Sequence, residues 1–412
     1  MEQSLNPNTA RNAWKGSLRA PATGQTALVA AIFFLSCLAL PLSDVWLISR
    51  LFPVVCIVYC YLLLHRLRSL LYYALPAFAV YLLSAYIPTL QDPMTLVSAF
   101  LAILVGGSCG AFLLAHGSTR RLILPLLLPL LAYAPAALLS RDPLQGLLVL
   151  LPLTVAVAAA FCLRRLTDRP TSTAVIAATL AISLAVAAVI TLAAMHALEG
   201  NSLSALAEQM RIGIVNRLVE EQQLQRELMA TIKEQSPQLY EAAMELLSIS
   251  EEEFYNTAVV AVNMAPGIFF AVCAATAFFL WRLLLQQMAV YQTAPHLPLP
   301  LVGFSVSRTG AVLFAICGVI ALFSGEQTVF NTVCLNLALI LAPGLALIGY
   351  TSLFTDRRSC LSLLLAIGLV ILTFRNLLGG IMVAAFLGSI HVLFARFLPT
   401  PGNYDHHDKG EG

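Results

Sequence analysis

Six polar side chains stand inside long apolar stretches of this chain: Asn263, Gln286, Asn331, Asn336, Arg375 and His391. Polar groups are costly in hydrocarbon, so each marks either a contact between helices or a functional cavity. An amide in such a place bonds a neighbouring helix or touches a ligand, and the grouping of these residues in the C-terminal half favours a shared site. Arg375 either snorkels to the outer interface or faces a cavity with Asn331 and His391, where it would hold an anion. Asn263 lies three residues before Pro266 and Asn336 seven before Pro343. A proline leaves a backbone carbonyl without its helical donor, and such carbonyls serve substrates in transporters with broken helices. Asn331 and Asn336 are five apart, about 140° around a helix, so only one can face a narrow site, and Asn336 is the deeper. Asn263, Asn336, His391, Asn331 and Arg375 form the candidate ligand-binding set.

Energy-converting and catalytic motifs are missing. There is no Walker-type G-x-x-x-x-G-K-[ST], and the only lysines are Lys15, Lys233 and Lys409. No H-E-x-x-H occurs, and no span carries two carboxylates for acid–base work. His406 and His407, beside Asp405 and Asp408, read as a solvated tail. The nine cysteines fall in or beside apolar stretches, with none in the polar middle, which is neither a disulfide framework nor a zinc cluster. The expectation is a protein that is not an enzyme, with no cofactor, no metal and no nucleic-acid partner.

The elements that would position these groups follow from composition. The chain is 59% hydrophobic and 11% charged, against about a quarter charged in a soluble domain. Its apolar residues come in long runs without period-two alternation, so a closed β-barrel does not fit. An all-α polytopic bundle of about twelve spans is predicted, near 27–46, 48–64, 70–89, 95–115, 122–139, 144–163, 172–195, 257–281, 309–324, 328–351, 359–375 and 377–395. With the N-terminus inside, 16 of the 23 Lys and Arg fall on the cytoplasmic side. The implied divisions are a cytoplasmic tail 1–26, an N-terminal membrane bundle 27–195, an insert 196–256, a C-terminal bundle 257–398 and a polar cytoplasmic tail 399–412. Pro125, Pro129, Pro135, Pro152, Pro266 and Pro343 interrupt the spans. Gly106 with Gly110, and Gly380, Ala384 and Gly388, form small-residue ladders for close helix contact.

The insert carries eleven acidic and four basic residues. Leu206, Met210, Ile214 and Leu218 recur every four residues, and Leu224, Leu228 and Ile232 continue the pattern, which predicts amphipathic helix over much of 203–234. Ser236 before Pro237 starts a second helix to about 248, and Ser250 with Glu253 is a capping box that launches the next span. The segment is read as an acidic helical module outside the membrane, acting as a lid, docking surface or spacer.

From Asn256 onward the runs NTAVVAVNMAPGIFFAVCAATAFFLWRLLL, HLPLP and NLALILAPGLALIGY precede a short basic loop and two closing spans. This pattern resembles the YybS-like family of bacterial membrane proteins of unknown function, over about Thr26 to Phe397. Its marks here are Asn263, Pro298, Pro300, Asn336, Pro343, Gly344 and Gly349. That family is remotely similar to the substrate-binding membrane subunits of energy-coupling-factor vitamin importers. Such subunits bind a vitamin or related small molecule and meet a coupling subunit through an A-x-x-x-A face on the first helix. Ala27 and Ala31 have that spacing and would be the partner-helix contact. The chain departs from such subunits, which have about six spans, by its twelve and its insert.

Two functions follow as expectations. The first is small-molecule binding or transport across a cytoplasmic (inner) membrane without an ATPase of its own, energised through a membrane partner. The alternative is a scaffold or assembly factor that presents the acidic module to a protein.

Overall fold

The computed structural model describes residues 21–64, 92–116, 123–168, 173–198, 251–293, 306–323, 328–355 and 360–394, with single positions between 74 and 82 and between 208 and 227. Among these residues the structure is helical, without a strand. The helices are α1 (Thr23–Ala39), α2 (Trp46–Leu64), α3 (Pro93–His116), α4 (Ile123–Ser140) and the short α5 (Pro143–Gly146). A single 3-10 turn, Leu147–Val149, leads into α6 (Leu150–Asp168), followed by α7 (Thr173–Leu198) and α8 (Glu251–Val290). The chain then runs through α9 (Arg308–Phe323), α10 (Val329–Thr355), α11 (Cys360–Arg375) and α12 (Leu377–Phe394).

Six helical stretches are long and apolar enough to cross a membrane: Trp46–Leu63, Pro93–His116, Pro143–Arg165, Val175–Leu198, Val262–Val290 and Val329–Leu353. Five shorter apolar helices match the first, fifth, ninth, eleventh and twelfth expected spans. The third, 70–89, lies mostly outside the described residues. The described chain therefore supplies six full-length spans where about twelve were expected. Local chemistry sets one of the boundaries. In the turn between α11 and α12, the Asn376 side chain accepts from the Gly379 amide at 2.9 Å and caps the new helix. Gly380 then packs directly on Thr373, where a side chain would collide, so the two helices fold back tightly.

One helix organises the N-terminal half. Of the span on α3, 83% is buried, against 28% for α7, which places α3 on the axis and α7 at the rim. Three glycines let its neighbours close in. A Cβ on Gly106 would meet Ser36 Cβ of α1 at 2.6 Å, one on Gly107 would meet Leu280 of α8 at 2.6 Å, and one on Gly110 would meet Ala156 of α6 at 2.6 Å. Close backbone approach of this kind replaces the hydrophobic drive that lipid cannot supply. The ends of α3 are also tied down. Asp92 accepts from the Met94 amide at 3.0 Å as the N-cap, and Arg164 of α6 donates to the Leu114 carbonyl at 3.0 Å near the other end. Arg50 of α2 pairs with Asp92 at 2.5 Å and lies over the Trp46 ring, 5.3 Å from its centroid. The hydrogen bond from Arg50 holds the Asp92 carboxyl below its usual range.

A second core joins α9 to α12. Phe314 meets Phe386 edge-on with centroids 5.0 Å apart, and the Tyr350 hydroxyl pairs with Thr373 at 2.5 Å. The tightest crossing is α10 on α12, where a Cβ on Gly349 would run into the Ala384 carbonyl and one on Gly388 into the Leu345 carbonyl. Between the cores runs α8, 40 residues long. Its second half, from Cys273 to Met288, packs in the first core, and α10 contacts it as well.

Between 199 and 250 in the insert nine residues are described, all helical. Glu208, Ile212, Asn216, Glu220, Gln223 and Glu227 are exposed at helical spacing, so they share one face. Glu208 and Arg211 pair across one turn at 2.5 Å. The expected apolar stripe Leu206, Met210, Ile214 and Leu218 lies outside the described residues.

The glycine crossing gives a direct test. Gly388→Val forces backbones apart and is expected to cost about 1–3 kcal/mol, as overpacking does. Gly368→Val, whose Cβ would meet nothing within 4 Å, should be neutral. Thermal unfolding of the two purified variants in one detergent separates them, and equal midpoints would refute the crossing.

Candidate functional site

Pro266 has no amide hydrogen and interrupts the hydrogen-bond ladder of α8. The residue after it, Gly267, would normally donate to the Asn263 carbonyl one turn back. The side-chain amide of Asn336, from α10, reaches both of these groups beside the proline. Its oxygen accepts from the Gly267 amide at 2.6 Å, and its nitrogen donates to the Asn263 carbonyl at 2.8 Å and to the Thr332 carbonyl at 2.8 Å. One side chain thus acts as a spliced-in peptide group, satisfying a donor and an acceptor that hydrocarbon would leave unanswered. Gly267 is required by this fit, since a Cβ there would lie 2.6 Å from Asn336 Oδ1 and 3.0 Å from its Cα.

The other candidates lie elsewhere. Asn331 sits in the first turn of α10, fourteen residues or about 21 Å of helix above the crossing at Leu345. His391 is exposed in the last turn of α12, just beyond Gly388. Arg375 ends α11, and its side chain is outside the described residues. Ala27 and Ala31 lie together on an exposed face of α1. The structure brings Asn263 and Asn336 together, through the backbone of the former, and does not gather Asn331 and His391 around them.

A different polar cluster forms where α2, α3 and α8 meet. Gln287 is fully buried, and its Nε2 donates to Tyr59 Oη at 2.9 Å, Cys109 Sγ at 3.3 Å and Ser108 Oγ at 3.4 Å. The Ser108 hydroxyl donates to the Val105 carbonyl at 2.9 Å, and the Cys109 thiol to Tyr59 Oη at 3.6 Å. Gln287 Oε1 is buried without a partner. Turning the amide over would answer the oxygen and strand the nitrogen, so one end stays unmatched either way. Phe112 continues the cluster, edge-on to Tyr291 at 5.5 Å and tilted against His116 at 4.4 Å. His116 Nδ1 contacts the Phe112 carbonyl at 2.7 Å, and its Nε2 is also buried and unpartnered.

Sequence reasoning took Gln286 and not Gln287, five residues beyond Arg282. The missed signal was the run beyond it: Leu283, Leu284 and Met288 are fully buried, and α8 continues to Val290. Gln286, the neighbour singled out instead, points about 100° away around the helix.

No family model, curated protein or solved structure matches this chain.

The splice predicts an asymmetric pair of mutants. Asn336→Ala strands the Gly267 amide and the Asn263 carbonyl, and interhelical bonds in membranes are worth about 0.6 kcal/mol each, up to about 1.7. A loss of roughly 1–3 kcal/mol is expected, whereas Asn263→Ala keeps the accepting carbonyl and should lose clearly less. Thermal unfolding measures both, and an Asn263→Ala loss as large as that of Asn336→Ala would refute the backbone assignment.

Proposed function

We propose that this chain is a multi-pass protein of a cytoplasmic (inner) membrane that binds a small molecule and serves its passage across the bilayer, taking energy from a partner rather than from an ATPase of its own. The observation that carries this reading is the sealed cluster around Gln287. A polar group inside a bundle marks a helix contact or a functional cavity, and this one holds an acceptor that its neighbours do not answer. An unanswered buried acceptor costs about 1–3 kcal/mol, which a conformation that admits a donor would recover. Tyr59, Ser108, Cys109 and Gln287 are uncharged, so the matching group on the ligand is a neutral N–H or O–H donor. Membership of the YybS-like family belongs to the same proposal and rests on the sequence runs from Asn256 onward.

Native mass spectrometry of the protein released from mild detergent tests the binding. Wild type and Asn263→Ala are expected to retain a small mass that Gln287→Leu loses while remaining folded. Equal retention in Gln287→Leu, or none in wild type, refutes the site.

The scaffold reading has one observation in its favour, the exposed polar face from Glu208 to Glu227 in the insert. It needs that face outside the membrane, as does the orientation with both termini cytoplasmic. Gln223 is exposed, so Gln223→Cys should react with an impermeant maleimide in whole cells. Labelling only after permeabilisation would reverse the topology.

A further inference from the structure

The rim of the N-terminal core carries a groove that neither reading uses. It lies between α6 and α7, has a volume of about 650 Å³, and runs from Leu147 and Ala194 at one end to Phe161 and Ser183 at the other. Its floor is made of small side chains, Ala158 and Ala187, with Ser183 and Thr191 beside them. Its walls are Val157 and Phe161 on α6 and Val186 and Ile190 on α7, which are 47%, 58%, 51% and 61% exposed. Both helices belong to stretches long and apolar enough to span a bilayer, so the walls face lipid.

Its chemistry narrows the occupant. Three hydroxyls line the groove, and each donates its hydrogen to its own helix: Thr154 to the Leu151 carbonyl at 2.9 Å, Ser183 to Thr179 at 2.8 Å and Thr191 to Ala187 at 2.8 Å. No hydroxyl hydrogen is left for a polar ligand, and no charged side chain lines the wall. Length narrows it further. Leu150 to Phe161 is eleven residues of helix, about 16 Å, and one leaflet of hydrocarbon is about 15 Å thick. We infer that the groove is a binding site for one acyl chain of a membrane phospholipid, held against the floor of Ala158 and Ala187 along the depth of a single leaflet. The site stands independently of the Gln287 cluster.

Electron paramagnetic resonance of the full chain in phosphatidylcholine bilayers, with phosphatidylcholine spin-labelled near the chain end, provides the test. Wild type should show a motionally restricted component larger, by about one lipid per chain, than that of Ala158→Phe/Ala187→Phe, which fills the floor. Leu138→Phe, at a residue 79% exposed on α4, should match wild type. Val157→Ala/Ile190→Ala lowers the walls without crowding the helices and should also lose the extra component, so a folding failure of the first variant does not decide the matter. Equal restricted fractions in wild type and Val157→Ala/Ile190→Ala would mean ordinary boundary lipid only and would overturn the proposal.

Discussion

The amide of Asn336 in the break of α8 is the contact on which the larger arrangement depends. Pro266 interrupts the ladder, and the Gly267 amide and Asn263 carbonyl beside it are met by the side chain of a residue 69 positions beyond Gly267. The same helix that is repaired there carries its far half into the N-terminal core, while the helix that supplies the amide belongs to the C-terminal core. One polar contact therefore sits at the junction of the two packing groups. In hydrocarbon such a bond is directional where apolar packing is not, so it fixes the register of α10 against α8.

Around that junction, packing is governed by how closely backbones approach rather than by large side chains. Gly106, Gly107 and Gly110 let α1, α6 and α8 reach α3 from three sides, and Gly349 with Gly388 bring α10 onto α12. Ser108 and Cys109, which the Gln287 amide meets, stand on α3 between Gly107 and Gly110. A polar group sealed among glycine-mediated contacts cannot be hydrated without parting helices, which ties its chemistry to the conformation of α2, α3 and α8.

Much of this was legible in sequence, for definable reasons. Long apolar runs predict spanning helices, and the spacing of Gly106 with Gly110 and of Ala384 with Gly388 predicts close contacts that the structure contains. Asn263, Pro266 and Asn336 stood out as polar or helix-breaking groups in apolar surroundings. That Asn263 contributes its carbonyl, and Asn336 its side chain, was not legible, because the partner of an amide 73 residues away is set by tertiary packing. Gln287 escaped for another reason. Gln286 and Gln287 are adjacent amides, and only the packing that buries Leu283, Leu284 and Met288 decides that Gln287 is the one facing the core.

The length of α8 has a mechanical meaning. From Glu251 to Pro266 is fifteen residues, an arm of about 22 Å that begins within the last residues of the acidic insert. A rotation of about 10° at the spliced joint would swing its tip by roughly 4 Å, while the segment below the joint stays gripped by α3. With Asn336 as the pin, α8 has the form of a lever whose shorter arm runs into the insert and whose longer arm carries Gln287.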